Sequence, residues 1–259
     1  MKAAGIGLFS LTDHDAIEGA EVVKEKRGPE DPLFISGVEF SCRDIYGKYH
    51  ILGYGYDSSA PAINALVKSG HSSRILKLER RLEALRDQFG FQFRDEDVSG
   101  LFANNNPGKP HLANLMVKYG YAANKEQAFS AYLNRLKIKN MHFHPEEAIS
   151  AILESGGIPV LAHPSYGSGD ELILGNDLEN RLKRLIAFGV QGVEGFYSTF
   201  TLQMQDECLG LAEKYDLYVT AGSDYHGKNK MIILGDNNLP DAQKAPRGLQ
   251  RFLEDVNFR

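Results

Sequence analysis

The chain has 259 residues, of which 42% are hydrophobic, and its formal net charge at pH 7 is −5. This length is enough for one substantial core, or for one core with an inserted subdomain. The negative charge balance offers no broad basic face, which argues against binding to double-stranded DNA, whereas a small phosphorylated ligand needs only a few Lys and Arg side chains.

The sequence also carries information about the cellular environment of the protein. No apolar stretch approaches the roughly 20 residues that span a bilayer, and the N-terminus lacks the pattern of a secretory signal peptide. Two cysteines, Cys42 and Cys208, cannot form a disulfide framework and fit a reducing compartment. We therefore expect a soluble, cytoplasmic protein that does not act at a membrane. Its oligomeric state is not predicted.

Short apolar segments bounded by Gly or Pro alternate with helical patterns along much of the chain. Their length and their content of β-branched and aromatic residues predict six buried strands. These segments are 6–11, 33–40, 50–56, 158–163, 192–197 and 217–224. Helical patterns lie between many of them, for example HPEEAISAILESGG (144–157), which has Pro145 in its first turn. The alternation predicts an α/β fold, with a mainly parallel sheet or barrel and helices outside it.

The middle of the chain has a different pattern, because residues 62–142 contain no convincing strand. Apolar residues at steps of three and four predict an amphipathic helix that ends near Phe89. A second helix is predicted over 111–120, and a third begins after Asn124, which has Gln127 three residues later in a capping-box pattern. We predict a helical insertion subdomain at 62–142, within a domain that consists of 1–61 and 143–259.

Polar side chains that can bind metal ions lie at the carboxyl ends of most predicted strands. In parallel α/β barrels these ends converge on one face, where active sites are built. The residues are Asp13, His14, Asp15, Glu39, His163, Glu194, Asp224 and His226. His50 lies at a strand start, so it joins them only if its strand is short or antiparallel. Imidazole and carboxylate without thiolate suit Zn, Mn or Fe, and paired ions can generate hydroxide and bind a phosphoryl group.

Each of these residues also has a structural interpretation. A single buried His is more often a hydrogen-bonded core group than a metal ligand. Asp15 could cap a helix that begins at Ala16, and Glu194 could pair with a neighbouring Lys. The whole set is harder to explain in this way than any single member.

Six motifs, in order along nearly the whole chain, resemble those of the PHP (polymerase and histidinol phosphatase) family of metal-dependent phosphoesterases. They are LTDHD, GVEFS, HILGYG, IPVLAHP, GVEGFYS and AGSDYHGKNK. In the predicted insertion, KPHLANLMVKYGY and AFSAYL are similar to the branch that hydrolyses nucleoside 3′,5′-bisphosphates and short RNA from its 5′ end. The resemblance implies a distorted (β/α)7 barrel, with a site for up to three divalent ions, often Mn, Fe or Zn.

The resemblance also implies roles for the metal-binding residues. Glu39 corresponds to a carboxylate that bridges two ions, and His50 and His163 to the ligands that complete the second ion. Asp224 corresponds to a ligand of the first ion, and His14 and His226 to ligands of a third.

The implied reaction is attack of an activated hydroxide on a phosphoester. Side chains of Asp13, His14 and His226 would serve as the catalytic residues that position groups or transfer protons. His111, Arg135 and Lys230 are candidates for holding phosphate, since cationic groups pair with it. His111 could instead simply start a helix, and Arg135 lies among solvated charges.

The chain departs from the family pattern at its N-terminus. The family begins with a strand that carries His-x-His and a following Asp, whereas MKAAGIGL resembles the end of the helix that comes after them. We therefore expect an N-terminally truncated barrel, in which only the second ion keeps a full set of protein ligands.

The sequence leaves three functions open. The first is a metal-dependent phosphoesterase acting on nucleotides such as nucleoside 3′,5′-bisphosphates, and on short RNA 5′ ends. The second is a catalytically impaired module that binds a nucleotide and a metal ion. The third is a metal hydrolase of the amidohydrolase type, which would act on C–N bonds.

Overall fold

The structure, a computed structural model, describes residues 1–104, 107–138, 142–167, 171–227, 231–239 and 245–258. The predicted site residue Lys230 and part of the predicted loop 104–110 lie outside this range. The chain divides into two units. The half-barrel unit comprises Met1–Leu66 and Phe143–Arg259, and the helical unit comprises Val67–His142.

A curled sheet of six strands forms the half-barrel unit. The strands are β1 (Leu8–Leu11), β2 (Leu33–Asp44), β3 (Gly47–Tyr54), β4 (Ile158–Leu161), β5 (Gly192–Tyr197) and β6 (Tyr218–Gly222), and they are neighbours in chain order. β3 is antiparallel to β2 and β4, and all other pairs are parallel. The sheet is therefore mixed, and with the helices around it the unit has the predicted α/β fold class. The described residues supply six strands, so a barrel of seven stays a prediction.

Nine α-helices are described, together with a short 3-10 turn at Lys2–Ala4 and a π turn at Ala128–Leu133. They are α1 (Glu18–Lys26), α2 (Pro61–Phe89), α3 (Asp95–Phe102), α4 (Lys109–Lys118), α5 (Lys125–Gln127), α6 (Pro145–Glu154), α7 (Gly175–Ala187), α8 (Leu202–Lys214) and α9 (Arg247–Asp255). Among the described residues, no helix combines the length and the apolar character that crossing a bilayer requires.

Helices cover the outer face of the sheet. α1 packs on β1 and β2, α6 on β2, β3 and β4, α8 on β5 and β6, and α9 on β6. Ile149 and Ile152 of α6 are completely buried, as are Phe40 and Ile51 of the strands beneath them. Burying each such side chain stabilises the fold by about 1.5–3 kcal/mol, so this contact holds β2 and β3 firmly in place.

The helical unit has its own apolar core. Leu78 and Leu85 of α2 pack with Leu112 and Met116 of α4, and all four are at most 1% exposed. The described part of this unit contains helices and no strand. The predicted cap at Asn124 is confirmed, because its side chain accepts the N–H of Gln127 at 2.8 Å.

A two-residue hairpin joins β2 to β3. The sequence predicted that the first of these strands ends at residue 40, whereas β2 continues to Asp44. The carboxylate of Asp44 accepts the N–H groups of Tyr46 and Gly47 at 2.8 and 3.1 Å. This Asx-type turn closes the hairpin tightly, so both strands stay paired beyond the predicted ends.

Candidate active site

The direction of β3 places His50 at the edge where the parallel strands end. His50 lies near the start of β3, opposite Ser41 of β2. On its other side, the carbonyl of His50 accepts the N–H of Ala162 at 3.0 Å, and His163 follows directly. Of the two arrangements that the sequence allowed for His50, the antiparallel one is present.

Backbone contacts after β1 place His14 beside Glu39. The carbonyl of Asp13 accepts the N–H of Glu39 at 3.1 Å, and the N–H of Asp15 donates to the Glu39 carbonyl at 2.9 Å. His14, between them, therefore faces the same edge as Glu39.

Asp15 holds this crossing and does not cap a helix. Its carboxylate accepts the N–H of Ser41 at 2.8 Å. α1 begins at Glu18, with Ile17 in the capping position. The interpretation of Asp15 as a helix cap is therefore wrong, because its side chain turns toward β2.

Three imidazoles surround one buried carboxylate. Glu39 is 6% exposed, and its Oε1 lies 2.8 Å from His50 Nδ1 and 3.4 Å from His163 Nε2. Its Oε2 lies 3.6 Å from Nδ1 of His14. His50 Nδ1 and His163 Nε2 are 3.0 Å apart. Ligand atoms of His14, Glu39 and His50 all lie within 4.8 Å of one another, which is close enough to hold one divalent ion.

The three imidazoles favour the ionised form of the Glu39 carboxylate. Burial alone would raise the pKa of Glu39, but the charges of His14 and His50, with hydrogen bonds from His163 and His50, hold it well below its usual range. For His163, burial alone would lower the pKa, but contact with Glu39 raises it. Glu39 is therefore ionised at neutral pH, as a metal-binding carboxylate must be.

Asp224 and His226 follow β6 at the same edge of the sheet. His226 Nδ1 lies 3.1 Å from Asp224 Oδ1, and the ring centroids of His226 and His14 are 6.4 Å apart. The hydroxyl of Tyr197, the last residue of β5, donates to Asp224 Oδ2 at 2.8 Å. Burial raises the pKa of Tyr197, and the Asp224 charge raises it further, so this phenol remains a donor.

His163 and Asp224 both adopt left-handed backbone conformations, with φ of +28° and +51°. Such conformations are uncommon for residues other than glycine and persist where the surroundings hold them. For His163 the support is Glu194 on β5, whose Oε2 accepts the His163 N–H at 2.8 Å. The carboxylate of Glu194 is therefore engaged with His163, and the suggested pairing with a Lys does not describe its position.

The side chain of Glu194 lies close to Gly222 of β6, a position without a side chain. A Cβ on Gly222 would overlap Oε1 of Glu194. Glu194 is 4% exposed, and this burial raises its pKa to about 7, although the charge and the N–H of His163 act in the opposite direction.

Four further residues were predicted for the site, and the structure describes three of them. The Asp13 side chain is exposed and turns toward Gly19 of α1. In the helical unit, His111 Nδ1 accepts the N–H of Gly108 at the start of α4. This contact agrees with the alternative that His111 simply starts a helix. Arg135 is exposed, and its Nε donates to a backbone carbonyl. Lys230 is not described, and the functional roles of these four residues stay predictions.

Sequence reasoning missed Tyr197, and it noted Glu194 at a strand end without predicting its contact with His163. Both lie in the motif GVEGFYS of β5, so their position at a strand end was the available signal. Their contacts depend on the φ angles of His163 and Asp224, which no local pattern encodes.

Curated relatives of the chain hydrolyse phosphoric esters. A phosphoribosyl 1,2-cyclic phosphate 1,2-diphosphodiesterase of Eggerthella lenta is 30% identical over 86% of this chain and 84% of its own length. A 3′,5′-nucleoside bisphosphate phosphatase of Chromobacterium violaceum is also 30% identical, over 85% of this chain and 76% of its own length. A 5′-3′ exoribonuclease of Haemophilus influenzae is 29% identical, over 91% of this chain and 85% of its own length. No protein-family model matches the chain.

Solved structures share the fold. A structure described as a metal-dependent phosphoesterase from Bifidobacterium adolescentis superposes with a TM-score of 0.79 at 27% identity, over 98% of this chain and 87% of that one. A structure from Chromobacterium violaceum, described as an amidohydrolase, has a TM-score of 0.74 at 25% identity, over 88% and 80%.

Fold, site and relatives together define the class: the chain is a metal-dependent hydrolase of phosphoric esters. The cluster of His14, Glu39 and His50 is its candidate site for a divalent ion. The chain belongs to the PHP-like phosphoesterases.

Proposed function

We propose that the chain releases phosphate from nucleotides such as nucleoside 3′,5′-bisphosphates, and acts on the 5′ ends of short RNA. The observation that carries this proposal is the buried Glu39 carboxylate with three imidazoles within 3.6 Å of its oxygens. The nucleotide substrate is supported by relatives named for bisphosphate phosphatase and exoribonuclease activity.

The donor set fits divalent ions, for which we propose Mn, Fe or Zn. Glu39, His50 and His163 would hold one ion, and His14, Asp224 and His226 would contribute to others. When bound, such ions supply a hydroxide at neutral pH and stabilise negative charge on the phosphoryl oxygens. The candidate group of His14, Glu39 and His50 offers imidazole and carboxylate, a combination that suits all three metals.

The protein's own contribution is orientation and proton transfer. Glu194 fixes the backbone at His163, and Tyr197 fixes the carboxylate of Asp224. The side chains of His14 and His226 are about one-third exposed, at 30% and 35%, so they are open to a substrate and to water. We assign them, with Asp13, to proton transfer and positioning during release of the leaving group.

Phosphate recognition outside the metal cluster is assigned to His111, Arg135 and Lys230. Arg135 keeps an exposed guanidinium, which can bind phosphate through two parallel hydrogen bonds. Replacing Arg135 with Met is expected to raise KM for a nucleoside bisphosphate with little change in kcat, as loss of uniform binding requires.

A second candidate substrate is a phosphoribosyl 1,2-cyclic phosphate. The Eggerthella lenta relative that is named for this substrate has the same 30% identity as the bisphosphate phosphatase. Both substrates present a phosphoryl group on a ribose, so the same metal cluster suits either.

A panel assay tests the proposal. Hydrolysis in the presence of manganese is measured as phosphate release from 3′,5′-bisphosphoadenosine, as chromatographic separation of the products from 5′-phosphorylated short RNA and from the cyclic phosphate, and as amine release from a set of amides. Activity should be confined to the phosphoric esters and should be highest with bisphosphate or RNA. Highest activity on the cyclic phosphate would select the second candidate, and hydrolysis of amides would overturn both.

Glu39→Gln tests the site within the same assay. Loss of an outer partner of a metal ligand lowers activity about 10–100-fold, so loss of the ligand itself should lower it at least as much. Glu213→Gln on the exposed face of α8 is the matched control and should retain activity. Equal activity of the two variants would show that Glu39 is not in the site. Nucleotide binding by the wild-type chain without turnover would instead favour the non-catalytic binding module.

A further inference from the structure

Arg181 of α7 is a buried cation that contacts the strand carrying His50. It is 4% exposed, and its guanidinium donates a hydrogen bond to the backbone carbonyl of Lys48 on β3. The same guanidinium lies over the ring of Tyr49, with 4.2 Å between its central carbon and the ring centroid. Lys48 and Tyr49 directly precede His50, so one side chain contacts both residues that lead into a proposed metal ligand.

Tyr49 is fixed at its hydroxyl as well as at its ring. It is 1% exposed, and its hydroxyl donates to Asp44 Oδ1 at 2.9 Å and accepts a hydrogen bond from Arg184 at 3.3 Å. Side chains alternate between the two faces of a strand, so Tyr49 and His50 point to opposite faces of β3. His50 turns toward Glu39, with its Nδ1 2.8 Å from Oε1. A Tyr49 ring that is held in place therefore limits the directions in which His50 can point.

The burial of Arg181 is not explained by stability alone. Its Nε is buried with no hydrogen-bond partner among the described residues, and burying an incompletely bonded cation costs free energy. A buried charged group can instead fix one arrangement of the chain around it. Arginine suits such a role because its planar guanidinium can stack on an aromatic ring while its N–H groups donate hydrogen bonds.

We propose that Arg181 is a positioning residue, which fixes His50 of β3 for metal binding at the candidate site around Glu39. Arg181 acts through the Lys48 carbonyl and the Tyr49 ring, and not by contact with the ion. The proposal rests on the proposed function in one respect, since it takes His50 as a ligand of the divalent ion.

Manganese binding by the full chain gives the first measurement. Arg181→Met keeps an unbranched side chain but loses the hydrogen bond to Lys48 and the charge over Tyr49. Calorimetry should show manganese binding about tenfold weaker than in the wild type, the lower end of the range for partners that orient metal ligands. Lys183→Met is the matched control, because Lys183 is an exposed cation of the same helix that pairs with Glu179 at 2.8 Å. This control should bind manganese as the wild type does.

A second measurement follows the position of His50 without metal. In a chelator, the rings of His50 and His163, whose centroids are 4.9 Å apart, should give a nuclear Overhauser effect, which is assigned with His50→Gln. This signal should weaken in Arg181→Met and persist in Lys183→Met. A residue that served stability alone would lower the Tm when replaced, and it would leave both this signal and the manganese affinity unchanged.

The proposal requires both changes in Arg181→Met. It is overturned if either the manganese affinity or the signal between the two rings equals that of Lys183→Met. If Arg181→Met does not fold, Arg181→Lys is measured instead, because it keeps a donor for the Lys48 carbonyl but not the planar group over Tyr49. Values equal to those of Lys183→Met would overturn the proposal in this variant as well.

Neither measurement involves turnover, so the two proposals can fail separately. A chain that binds manganese but does not hydrolyse phosphoric esters refutes the proposed function and leaves the role of Arg181 to be decided by the variants. Equal manganese affinity in Arg181→Met and Lys183→Met refutes the role of Arg181 alone. A wild type that binds no manganese would overturn both.

Discussion

His163 occupies a left-handed backbone conformation whose N–H is held by Glu194, and this contact aims its imidazole at Glu39. The sequence identified His163 and Glu39 by residue type and by position at strand ends. It did not identify how they are held, because the contact joins residues far apart in the chain and depends on one unusual φ angle. The same holds for Tyr197 and Asp224.

Glu194→Ala is expected to weaken metal binding at the Glu39 cluster about 10–100-fold, because it removes the acceptor that orients His163, which we propose as a metal ligand. Glu194→Gln keeps an oxygen acceptor and should restore most of the affinity. Metal titration followed by phosphate-release kinetics checks both variants. Equal loss in the two variants, or no loss in either, would contradict a positioning role for Glu194.

Gly222→Ala is expected to disturb the same contact from the opposite side. The added Cβ overlaps Glu194 Oε1, and overpacking of this kind costs about 1–3 kcal/mol of stability. Activity should fall together with Tm. Gly210→Ala in α8 is the control, because its Cβ meets no atom within 4 Å and alanine favours the helix. A Tm for Gly222→Ala that equals or exceeds that of Gly210→Ala would show that the strand site tolerates a side chain.

At the scale of elements, local patterns predicted strands and helices better than their ends or directions. Short apolar segments bounded by Gly or Pro indicated each of the six strands in the described part of the chain. The direction of β3 was left open, since it depends on a two-residue turn closed by the Asp44 side chain. The predicted start of α1 at Ala16 was wrong, since the helix begins at Glu18. The Asp15 carboxylate accepts the N–H of Ser41 on β2 and does not cap the helix.

The cap of α5 is an element whose local signal was sufficient. Asn124 accepts the N–H of Gln127, and the Gln127 side chain accepts the N–H of Ala123 at 2.6 Å. Asn124→Ala should lower the free energy of unfolding by about 0.5–2 kcal/mol. Asn124→Ser retains a capping oxygen and should stay close to the wild type. Denaturant unfolding of both variants checks this, and equal stability of the two would argue against the cap.

At the scale of the whole molecule, strand–helix alternation and a strand-poor middle predicted an α/β fold with a helical insertion. The order of the strands in the sheet was not predicted, because pairing between distant segments leaves no local pattern. The structure reports it as sequential from β1 to β6. This order brings Glu39 of β2, His50 of β3 and His163, two residues after β4, close together, and the candidate metal cluster follows from it.

Chelation is expected to lower the Tm of the whole chain, because an ion that binds only the folded state stabilises it. A free metal concentration of 100 times Kd stabilises the folded state by about 2.7 kcal/mol. Manganese should restore the Tm in the wild type but not in His163→Ala, since His163 contacts the central carboxylate. Differential scanning calorimetry provides the measurement. Recovery of the same size in His163→Ala would place the ion elsewhere.

The tight hairpin between β2 and β3 has a consequence for the order in which the protein folds. Glu39 and His50 belong to strands joined by only two residues, so their pairing needs no long-range chain closure. Hairpins form in about 1–10 μs, whereas pairings between distant segments form later because closing longer loops carries a larger entropic penalty. Two proposed ligands of the candidate metal cluster can thus meet early in folding, before β4 brings His163 to them. A metal ion captured by this nascent pair would act as a template for the remaining strands, and refolding should then be faster with manganese than with a chelator.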